Sequence, residues 1–248
     1  MMRQLIRTII PSVVRASIRS AIIGNGDSVA EVAGQIKGRL PSETIKVIFD
    51  VGANTGQSVI AYGAAFPGAK IFSFEPDPDT FQQLKNTIAK SQLDAPAFNY
   101  ALGSTAGPVQ FDNTVPSDRR KVVSGGAAGL PSVQVKQLDS IFPTFGISAI
   151  DYLKIDTEGH DLDVLKGAKS LLTDGKVKIV ETECSVNRDN THHVSLWMIT
   201  DLLEGYGYRL FHLFEQAPEW PTGRPNLRRV NAVFISPDVI SRNMTPNR

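Results

Sequence analysis

Along residues 45–236, short apolar runs alternate with segments in which apolar residues recur at helical spacing. Seven short runs are largely apolar and β-branched, which is the pattern of strands buried on both faces; they are IKVIFDV, AKIFSFE, PAFNYAL, AIDYLKID, VKIVETE, YRLFHLF and RVNAVFIS. Between these runs apolar residues recur at helical spacing, as in PDTFQQLKNTIAKS, where Phe81, Leu84 and Ile88 share one face. Strands that alternate with helices predict an α/β fold, with a parallel sheet covered by helices on both faces.

The same pattern divides the chain into three parts. We expect residues 1–40 to form a basic helical extension, residues 41–240 the α/β domain and residues 241–248 a short tail. Residues 103–137 interrupt the alternation with Gly, Pro and polar residues, which predicts a hairpin or flap. The three adjacent cations in its run VPSDRRKVVSGGAAG either close over an anionic acceptor or remain in a solvated loop.

Composition narrows the class of protein. The chain has 248 residues, 42% hydrophobic and 21% charged, and its formal net charge is +1. These values are typical of a globular protein and give no reason to expect a nucleic-acid partner. Cys184 is the single cysteine, so no intrachain disulfide forms and a reducing, cytoplasmic location is expected. No apolar run reaches the roughly 18 residues of a membrane-spanning helix.

Residues 1–23 differ in character from the rest of the chain, because they carry Arg3, Arg7, Arg15 and Arg19 before any acidic residue. Two interpretations remain open. The segment is either a helix that covers the core or a partner subunit, or a basic amphipathic helix at the inner surface of an anionic membrane. An oligomer is compatible with the first interpretation.

The first predicted strand runs into the sequence DVGANTG, residues 50–56. A glycine-rich turn between a strand and a helix lets the backbone approach a ligand closely. The dinucleotide pattern G-x-G-x-x-G is not met, because its third glycine, counted from Gly52, would fall at Gln57. Asn54 tolerates a left-handed backbone, and Asp50 supplies negative charge suited to an ammonium group. The turn, closed by Gly56, therefore favours S-adenosylmethionine over a dinucleotide.

Glu75 ends the second predicted strand, about 20 residues beyond the glycine turn. A carboxylate at this place can accept hydrogen bonds from both hydroxyls of a ribose. Glu75 therefore supports a nucleoside ligand, although it does not distinguish the two cofactors.

Several longer motifs together resemble a known family. FDVGANTG, SFEPDPDTFQQLKNT, NYALGS, LDSI, DYLKIDTEGHDLDVLKGA and KIVETE resemble, in this order, the signatures of FkbM-type S-adenosylmethionine-dependent methyltransferases. The most specific of them are KIDTEGHDLDVLKGA and the FEP after the second strand. The resemblance covers residues 47–183 and leaves the first 40 residues and those after about 190 without a matching motif.

The resemblance implies a fold, a reaction and a set of cofactor-binding residues. The fold is the Rossmann-like class I methyltransferase fold, with a seven-stranded, mostly parallel sheet and an antiparallel last strand. The reaction is O-methylation of a hydroxyl on a sugar, glycolipid, polysaccharide or polyketide product. The implied cofactor residues are Asp50, Gly52, Asn54 and Gly56 at the methionine end, Glu75 at the ribose, Asn99, Ala101 and Leu102 beside the adenine, and Asp156 near the methyl group. His160 and Asp161 depart from the family, in which Ala-Glu is more usual.

Methyl transfer to an alcohol needs a base near the attacking oxygen. We expect Asp156, Glu158 and Glu181, which follow or end strands, to be catalytic. One of these acids acts as the base directly, or Asp156 with Glu181 or Glu183 holds Mg²⁺, which prefers oxygen ligands. Glu158 is equally a candidate helix cap.

Histidines supply further candidates for the base, because the unperturbed pKa of imidazole lies near neutrality. His192 and His193 lie in NRDNTHHVSLW, a polar loop entering a helix, where ordinary surface histidines are also common. His160 follows the strand-four acids, and His212 lies inside a predicted strand, where packing is its expected role.

Two other functions compete with methyl transfer. An NAD(P)-dependent oxidoreductase is disfavoured by the missing third glycine and by the lack of any Tyr-x-x-x-Lys pair. A non-catalytic scaffold that keeps only the cofactor pocket is disfavoured by the acids retained at the strand ends.

Overall fold

The computed structural model describes residues 25–111, 122–123 and 132–244. The predicted helix over residues 1–23 and the cations of the predicted flap lie outside these ranges. The helices are α1 Asn25–Arg39, α2 Gln57–Ala65, α3 Pro78–Ser91, α4 Leu138–Ile141, α5 Asp161–Lys166, α6 Lys169–Thr173, α7 Leu196–Gly205 and α8 Pro237–Asn243, with a 3-10 helix at Phe142–Phe145. The strands are β1 Val47–Val51, β2 Lys70–Phe74, β3 Ala97–Phe98, β4 Ala101–Leu102, β5 Gly107–Phe111, β6 Val122–Val123, β7 Ser132–Lys136, β8 Ile150–Ile155, β9 Val177–Ser185, β10 Arg209–Glu219 and β11 Arg224–Ile235.

The main sheet has seven strands in the order β10-β11-β9-β8-β1-β2-β3. Strand β11 is antiparallel to both of its neighbours, whereas the pairs among β9, β8, β1, β2 and β3 are parallel. The predicted sheet with an antiparallel last strand is confirmed.

A second, four-stranded sheet has the order β4-β7-β5-β6. The predicted third strand PAFNYAL is therefore not continuous, because β3 pairs with β2 in the main sheet and β4 pairs with β7 in the small one. Within the predicted flap, β5 pairs antiparallel with both β6 and β7. The pattern of residues 103–137 predicted the hairpin but not the four-stranded sheet that contains it.

The sequence DLDVLKGAKSLLTDG, residues 161–175, predicts one helix, but the structure divides it into α5 and α6. A Cβ atom on Gly167, between the two helices, would lie 2.1 Å from the carbonyl oxygen of Gly103. Backbone from the start of the small sheet thus approaches the chain where the predicted helix breaks. This long-range contact is invisible in the local sequence pattern.

Two hydrophobic clusters of buried side chains lie on opposite faces of the main sheet. Ile48 and Phe49 are adjacent in β1, are both fully buried, and belong to different clusters. Successive side chains of a strand point to opposite faces, so helices cover the sheet on both sides. Val32 and Ile36 of α1 join the cluster of Ile48, which shows that the second half of the predicted extension packs on the core.

The parallel strands bring their carboxyl ends to one edge of the sheet. Val51 pairs with Ile155 of β8, and Lys154 of β8 pairs with Glu181 of β9. The acids that follow or end these strands therefore lie at or near a common edge. Among the described helices, none has the length and apolar character needed to cross a membrane.

Candidate active site

Alternate residues of the turn after β1 have positive φ angles. Gly52 has φ 82°, Asn54 φ 48° and Gly56 φ 95°. Asn54 thus adopts the conformation expected of it. A Cβ atom on Gly52 would lie 1.9 Å from the carbonyl oxygen of Asp156, so the turns after β1 and β8 touch at a point where only glycine fits.

Asp50 lies beneath this turn and is fully buried. Its Oδ2 accepts a hydrogen bond from Ser58 Oγ at 2.5 Å, and its Oδ1 is 3.3 Å from Lys154 Nζ. Lys154 Nζ is also 3.3 Å from Asp156 Oδ2. Burial by itself lowers the pKa of Lys154, but Asp156 and Asp50 outweigh it and raise the pKa above its ordinary value. Ser58 and Lys154 enclose the Asp50 carboxylate. Its predicted contact with the ammonium group of a cofactor therefore stays a prediction.

Glu75 is positioned by backbone N–H groups on both sides. Asn54 N donates to its Oε2 at 3.0 Å and Asp77 N donates to its Oε1 at 2.9 Å. The side chain is 7% exposed, and burial, partly offset by these two hydrogen bonds, raises the pKa of Glu75 to about 7. The Asn99 amide donates to the carbonyl oxygens of Glu75 and Pro76, at 2.9 Å each, which joins the predicted adenine side to the predicted ribose side.

Ala101 and Leu102 form β4, two residues beyond Asn99. Leu102 is 5% exposed and belongs to the hydrophobic core. Its side chain therefore supports the wall of the predicted adenine site from within, and its contact with an adenine stays a prediction.

Carboxylates crowd the turn after β8. Burial, together with Asp156, Glu183 and Asp161, raises the pKa of Glu158 to about 9 against the opposing effect of Arg229. The N-cap residue of α5 is His160 rather than Glu158, and Glu158 Oε2 lies 2.7 Å from His192 Nε2. The backbone of Glu158 is left-handed, with φ 54°.

Asp161 begins α5 and is 1% exposed. Its carboxylate accepts hydrogen bonds from the hydroxyls of Thr157 and Thr182, at 2.9 and 2.8 Å. Burial, followed by the charge of Asp156, raises the pKa of Asp161 to about 7. Asp161 therefore links the turn after β8 to strand β9 through hydrogen bonds.

Glu181 lies inside the sheet rather than at its open edge, and it is 3% exposed. The hydroxyls of Tyr62 and Tyr152 both donate to its Oε2, the first at 2.6 Å. Burial raises the pKa of Glu181 to about 7 although these hydrogen bonds and Lys154 lower it. Catalytic or metal-binding contact by Glu181 stays a prediction, and it requires the two tyrosines to rearrange.

Both histidines of the loop before α7 are paired with carboxylates. His193 Nε2 is 2.7 Å from Glu183 Oε2, alongside the pair of His192 with Glu158. Glu158, His192 and His193 each offer one ligand atom, and these atoms lie within 4.8 Å of one another. This cluster differs from the predicted Mg²⁺ set of Asp156, Glu181 and Glu183.

A cleft of about 660 Å³ opens beside these carboxylates. The turn after β8, helix α5 and the segment from Ser185 to α7 line it; its residues include Gly159, Lys166, Arg188, His193, Trp197 and Met198. Trp197 and Met198 are 59% and 53% exposed. The volume suits a small-molecule ligand, and His193 connects the cleft to the acid cluster.

The charges at the sheet edge fit a cationic cofactor. Asp156 and Glu75 flank the turn, and the nearby cation Lys154 is already paired with Asp50 and Asp156. A pyrophosphate would meet these carboxylates with like charge, whereas a sulfonium or ammonium group would offset them.

Comparison with known proteins identifies the family to which this chain belongs. The profile of the methyltransferase FkbM domain matches residues 50–210. The chain belongs to the FkbM methyltransferase family. The match begins at Asp50 and includes the glycine turn, Glu75, the turn after β8 and both loop histidines, so the family resemblance stated from the motifs is confirmed. The FkbM assignment also favours methyl transfer over the NAD(P)-dependent alternative.

Individual relatives are similar at low identity. The hexuronic acid methyltransferase AglP of Haloferax volcanii is 28% identical over 148 residues, which span 59% of this chain and 59% of that protein. The 2-O-methyltransferase NoeI of Sinorhizobium fredii is 27% identical over 200 residues, 73% of this chain and 79% of that protein. The chain therefore spans less than two thirds of the length of the Haloferax volcanii protein.

A solved structure supports the fold. Magnesium protoporphyrin IX methyltransferase from Synechocystis, solved with bound S-adenosylmethionine, aligns with a TM-score of 0.52 at 13% identity, over 92% of this chain and 86% of that one. The Rossmann-like class I methyltransferase fold is confirmed for this FkbM chain.

Sequence reasoning missed one residue of the candidate site, Lys154, and underestimated another, His192. Lys154 stands in the apolar strand IDYLKI, and a lysine in such a run must be paired to be buried. That signal was available, but the identity of its partners depends on the register of β1 with β8.

Proposed function

We propose that the chain is an S-adenosylmethionine-dependent O-methyltransferase whose acceptor is a hydroxyl of a sugar, free or within a glycolipid or polysaccharide. The observation that carries the proposal is the acid-lined sheet edge, with a glycine turn on one side and an open cleft on the other. The names of two relatives, a hexuronic acid methyltransferase and a 2-O-methyltransferase, support a sugar acceptor. A polyketide-type hydroxyl is the other acceptor that the family resemblance implies.

The cofactor fits the chain's own residues as follows. The turn from Gly52 to Gly56 receives the methionine end, the carboxylate of Glu75 accepts the ribose hydroxyls, and Asn99 borders the adenine. When bound, the cofactor supplies an electrophilic methyl group on a sulfonium. Carboxylates near the sulfonium stabilise the charge that the reaction removes, so they hold the cofactor rather than accelerate the transfer by themselves.

Asp156 is the base in this proposal. Its side chain is 38% exposed, and its backbone carbonyl lies against Gly52, so its carboxylate is open to an acceptor hydroxyl beside the glycine turn. Glu158, with its raised pKa, holds a proton at neutral pH in the free protein, and Glu181 is enclosed by tyrosines. Asp156 Oδ atoms take the hydroxyl proton as the oxygen attacks, while Lys154 keeps the carboxylate oriented.

The cleft supplies the acceptor's binding surface. Trp197 presents an exposed indole, on which the apolar face of a sugar ring can pack. Lys166 and Arg188 also line the cleft, and within the described part of the chain neither forms an ion pair. Unpaired cations beside an aromatic surface suit a sugar that carries a carboxylate or phosphate.

Calorimetric titration with S-adenosylhomocysteine, with NAD⁺ run in parallel, tests the cofactor. Binding of S-adenosylhomocysteine alone is expected, and the Glu75→Ala variant should lose it while keeping its fold. Binding of NAD⁺ alone would overturn the proposal.

Methyl-labelled S-adenosylmethionine, incubated with glucose, glucuronic acid and glucuronate-containing oligosaccharides, tests the transfer. Asp156→Asn should retain S-adenosylhomocysteine binding and lose transfer by on the order of 10²–10⁴-fold. Asp201→Asn, an exposed acid of α7, is the matched control and should change neither. Unchanged turnover in Asp156→Asn would remove Asp156 from the mechanism.

A further inference from the structure

Three potential metal ligands converge at the edge of the cleft from two separate parts of the chain. Glu158 follows β8, and His192 and His193 lie between β9 and α7. One ligand atom of each lies within 4.8 Å of the others, and Glu158 Oε2 is 2.7 Å from His192 Nε2. Atoms bound to one ion at ~2.1 Å stand roughly 3–3.5 Å apart, so small side-chain adjustments suffice to admit an ion.

The loop that carries the two histidines is fixed from beneath. Asn190 is 5% exposed, and its Oδ1 accepts the backbone N–H of His192 at 3.0 Å. Its Nδ2 lies 2.9 Å from His193 Nδ1. One buried amide therefore holds the backbone of His192 and the imidazole of His193, and the second of these contacts is the kind of outer support that metal-binding histidines have.

Glu183 contributes a further carboxylate to the cluster. Glu183 Oε2 contacts His193 Nε2 at 2.7 Å, and Asn190 contacts the other ring nitrogen. An ion that binds His193 displaces one of these two partners. If Glu183 is displaced, its carboxylate is available as a fourth ligand, and if Asn190 is displaced, Glu183 orients the ring from the far side.

We propose that Glu158, His192 and His193 bind a divalent first-row transition-metal ion at the edge of the acceptor cleft. Two imidazoles and one carboxylate suit Mn²⁺, Fe²⁺, Co²⁺ or Zn²⁺, whereas Mg²⁺ prefers an all-oxygen site. Because His193 also lines the cleft, an ion at this place can bind a hydroxyl of the acceptor and lower its pKa. This last step rests on the proposed function, but the binding of the ion does not.

Visible absorption of Co²⁺ tests the site, because its d–d bands report ligation by imidazole. The full chain, free of any histidine tag, is titrated with CoCl₂ at neutral pH. We expect one saturable site whose bands are lost in His192→Ala and His193→Ala and are not suppressed by excess Mg²⁺. His212→Ala is the matched control, because His212 pairs instead with Glu31 of α1, at 3.0 Å, and it should titrate like the unaltered protein.

Binding of S-adenosylhomocysteine by each protein separates this proposal from the proposed function and verifies folding. Loss of the Co²⁺ bands in both histidine variants, with S-adenosylhomocysteine binding kept, supports the site. Absent or unsaturable Co²⁺ binding, bands that survive both substitutions, or displacement of Co²⁺ by Mg²⁺ would overturn it, whatever the cofactor result. If either variant fails to bind S-adenosylhomocysteine, Glu158→Gln is titrated instead, and unchanged Co²⁺ bands there would equally overturn it.

Discussion

Replacing Glu75 by glutamine gives a pH-dependent test of the cofactor site. The Glu75 carboxylate is 7% exposed and accepts backbone N–H groups through both oxygens. A glutamine side chain keeps the shape but offers one acceptor oxygen, so one N–H loses its partner. The cost is about 1–3 kcal/mol and does not depend on pH.

The charge of Glu75 adds a contribution that does depend on pH. Burial raises the pKa from 4.5 to about 7, so between these values the folded protein binds a proton that the unfolded chain has lost. The free energy of unfolding therefore falls as pH rises through this window. At ~1.4 kcal/mol per pKa unit, the loss between pH 5 and pH 8 is about 2.5 kcal/mol.

Urea unfolding of both proteins at pH 5 and pH 8 measures this contribution. Relative to the wild type, Glu75→Gln should gain about 2.5 kcal/mol on going from pH 5 to pH 8, because only the wild type titrates at residue 75. Asp161 and Glu181, whose pKa values are also raised to about 7, titrate in both proteins and cancel. Glu204→Gln, at an exposed position of α7, should show no such gain, and a pH-independent difference for Glu75→Gln would refute the reasoning.

The same titration should appear in ligand binding. Ribose hydroxyls donate to the ionised carboxylate, so a bound nucleoside favours proton release from Glu75. The affinity of the wild type for S-adenosylhomocysteine should rise by up to about tenfold per pH unit until pH ~7 and then level off. Glu75→Gln should bind more weakly and without this dependence, and equal pH profiles in the two proteins would remove Glu75 from the ribose site.

Two further substitutions test the packing beneath the site. Gly52→Ala should destabilise the fold by more than ~1–2 kcal/mol in thermal denaturation, because its φ is 82° and its Cβ meets the Asp156 carbonyl. Gly34→Ala in α1, where nothing lies within 4 Å, should instead stabilise it by ~0.5–1 kcal/mol, and similar effects at both glycines would contradict the strain. Tyr152→Phe removes a hydrogen bond to buried Glu181 and should cost about 1–3 kcal/mol in urea unfolding; wild-type stability would show that the bond carries no net free energy.

The location of the site could be predicted because it depends on periodicity and topology alone. Continuous apolar runs separated by helices imply a parallel sheet, and parallel strands end at one edge. Asp50, Glu75 and Asp156 could therefore be grouped from the sequence, and the structure places them at that edge. The left-handed conformation of Asn54 was also predictable, because it follows from the side chain and the turn.

Features that depend on contacts between distant segments could not be predicted in the same way. The helix over residues 161–175 has unbroken local propensity apart from Gly167, and it breaks where Gly103 approaches. The split of PAFNYAL between two sheets likewise depends on β7, which follows more than 30 residues later. The local sequence pattern determines whether a segment forms a helix or a strand. The points at which these two segments break depend on distant residues that pack against them.

Lys154 and His192 show the same limit for chemistry. Lys154 is the one basic residue of the apolar strand β8, and the register of β8 places it beside Asp50 of β1, so its role follows from a pairing rather than from its neighbours in sequence. His192 looked like a surface residue at a helix start, but the loop brings it to Glu158, 34 residues earlier. In this fold the strand ends supply the acids, and the loops decide which groups meet them. Acceptor choice and metal binding should therefore respond to substitutions in residues 185–198, whereas cofactor binding should respond to those in residues 50–56 and Glu75.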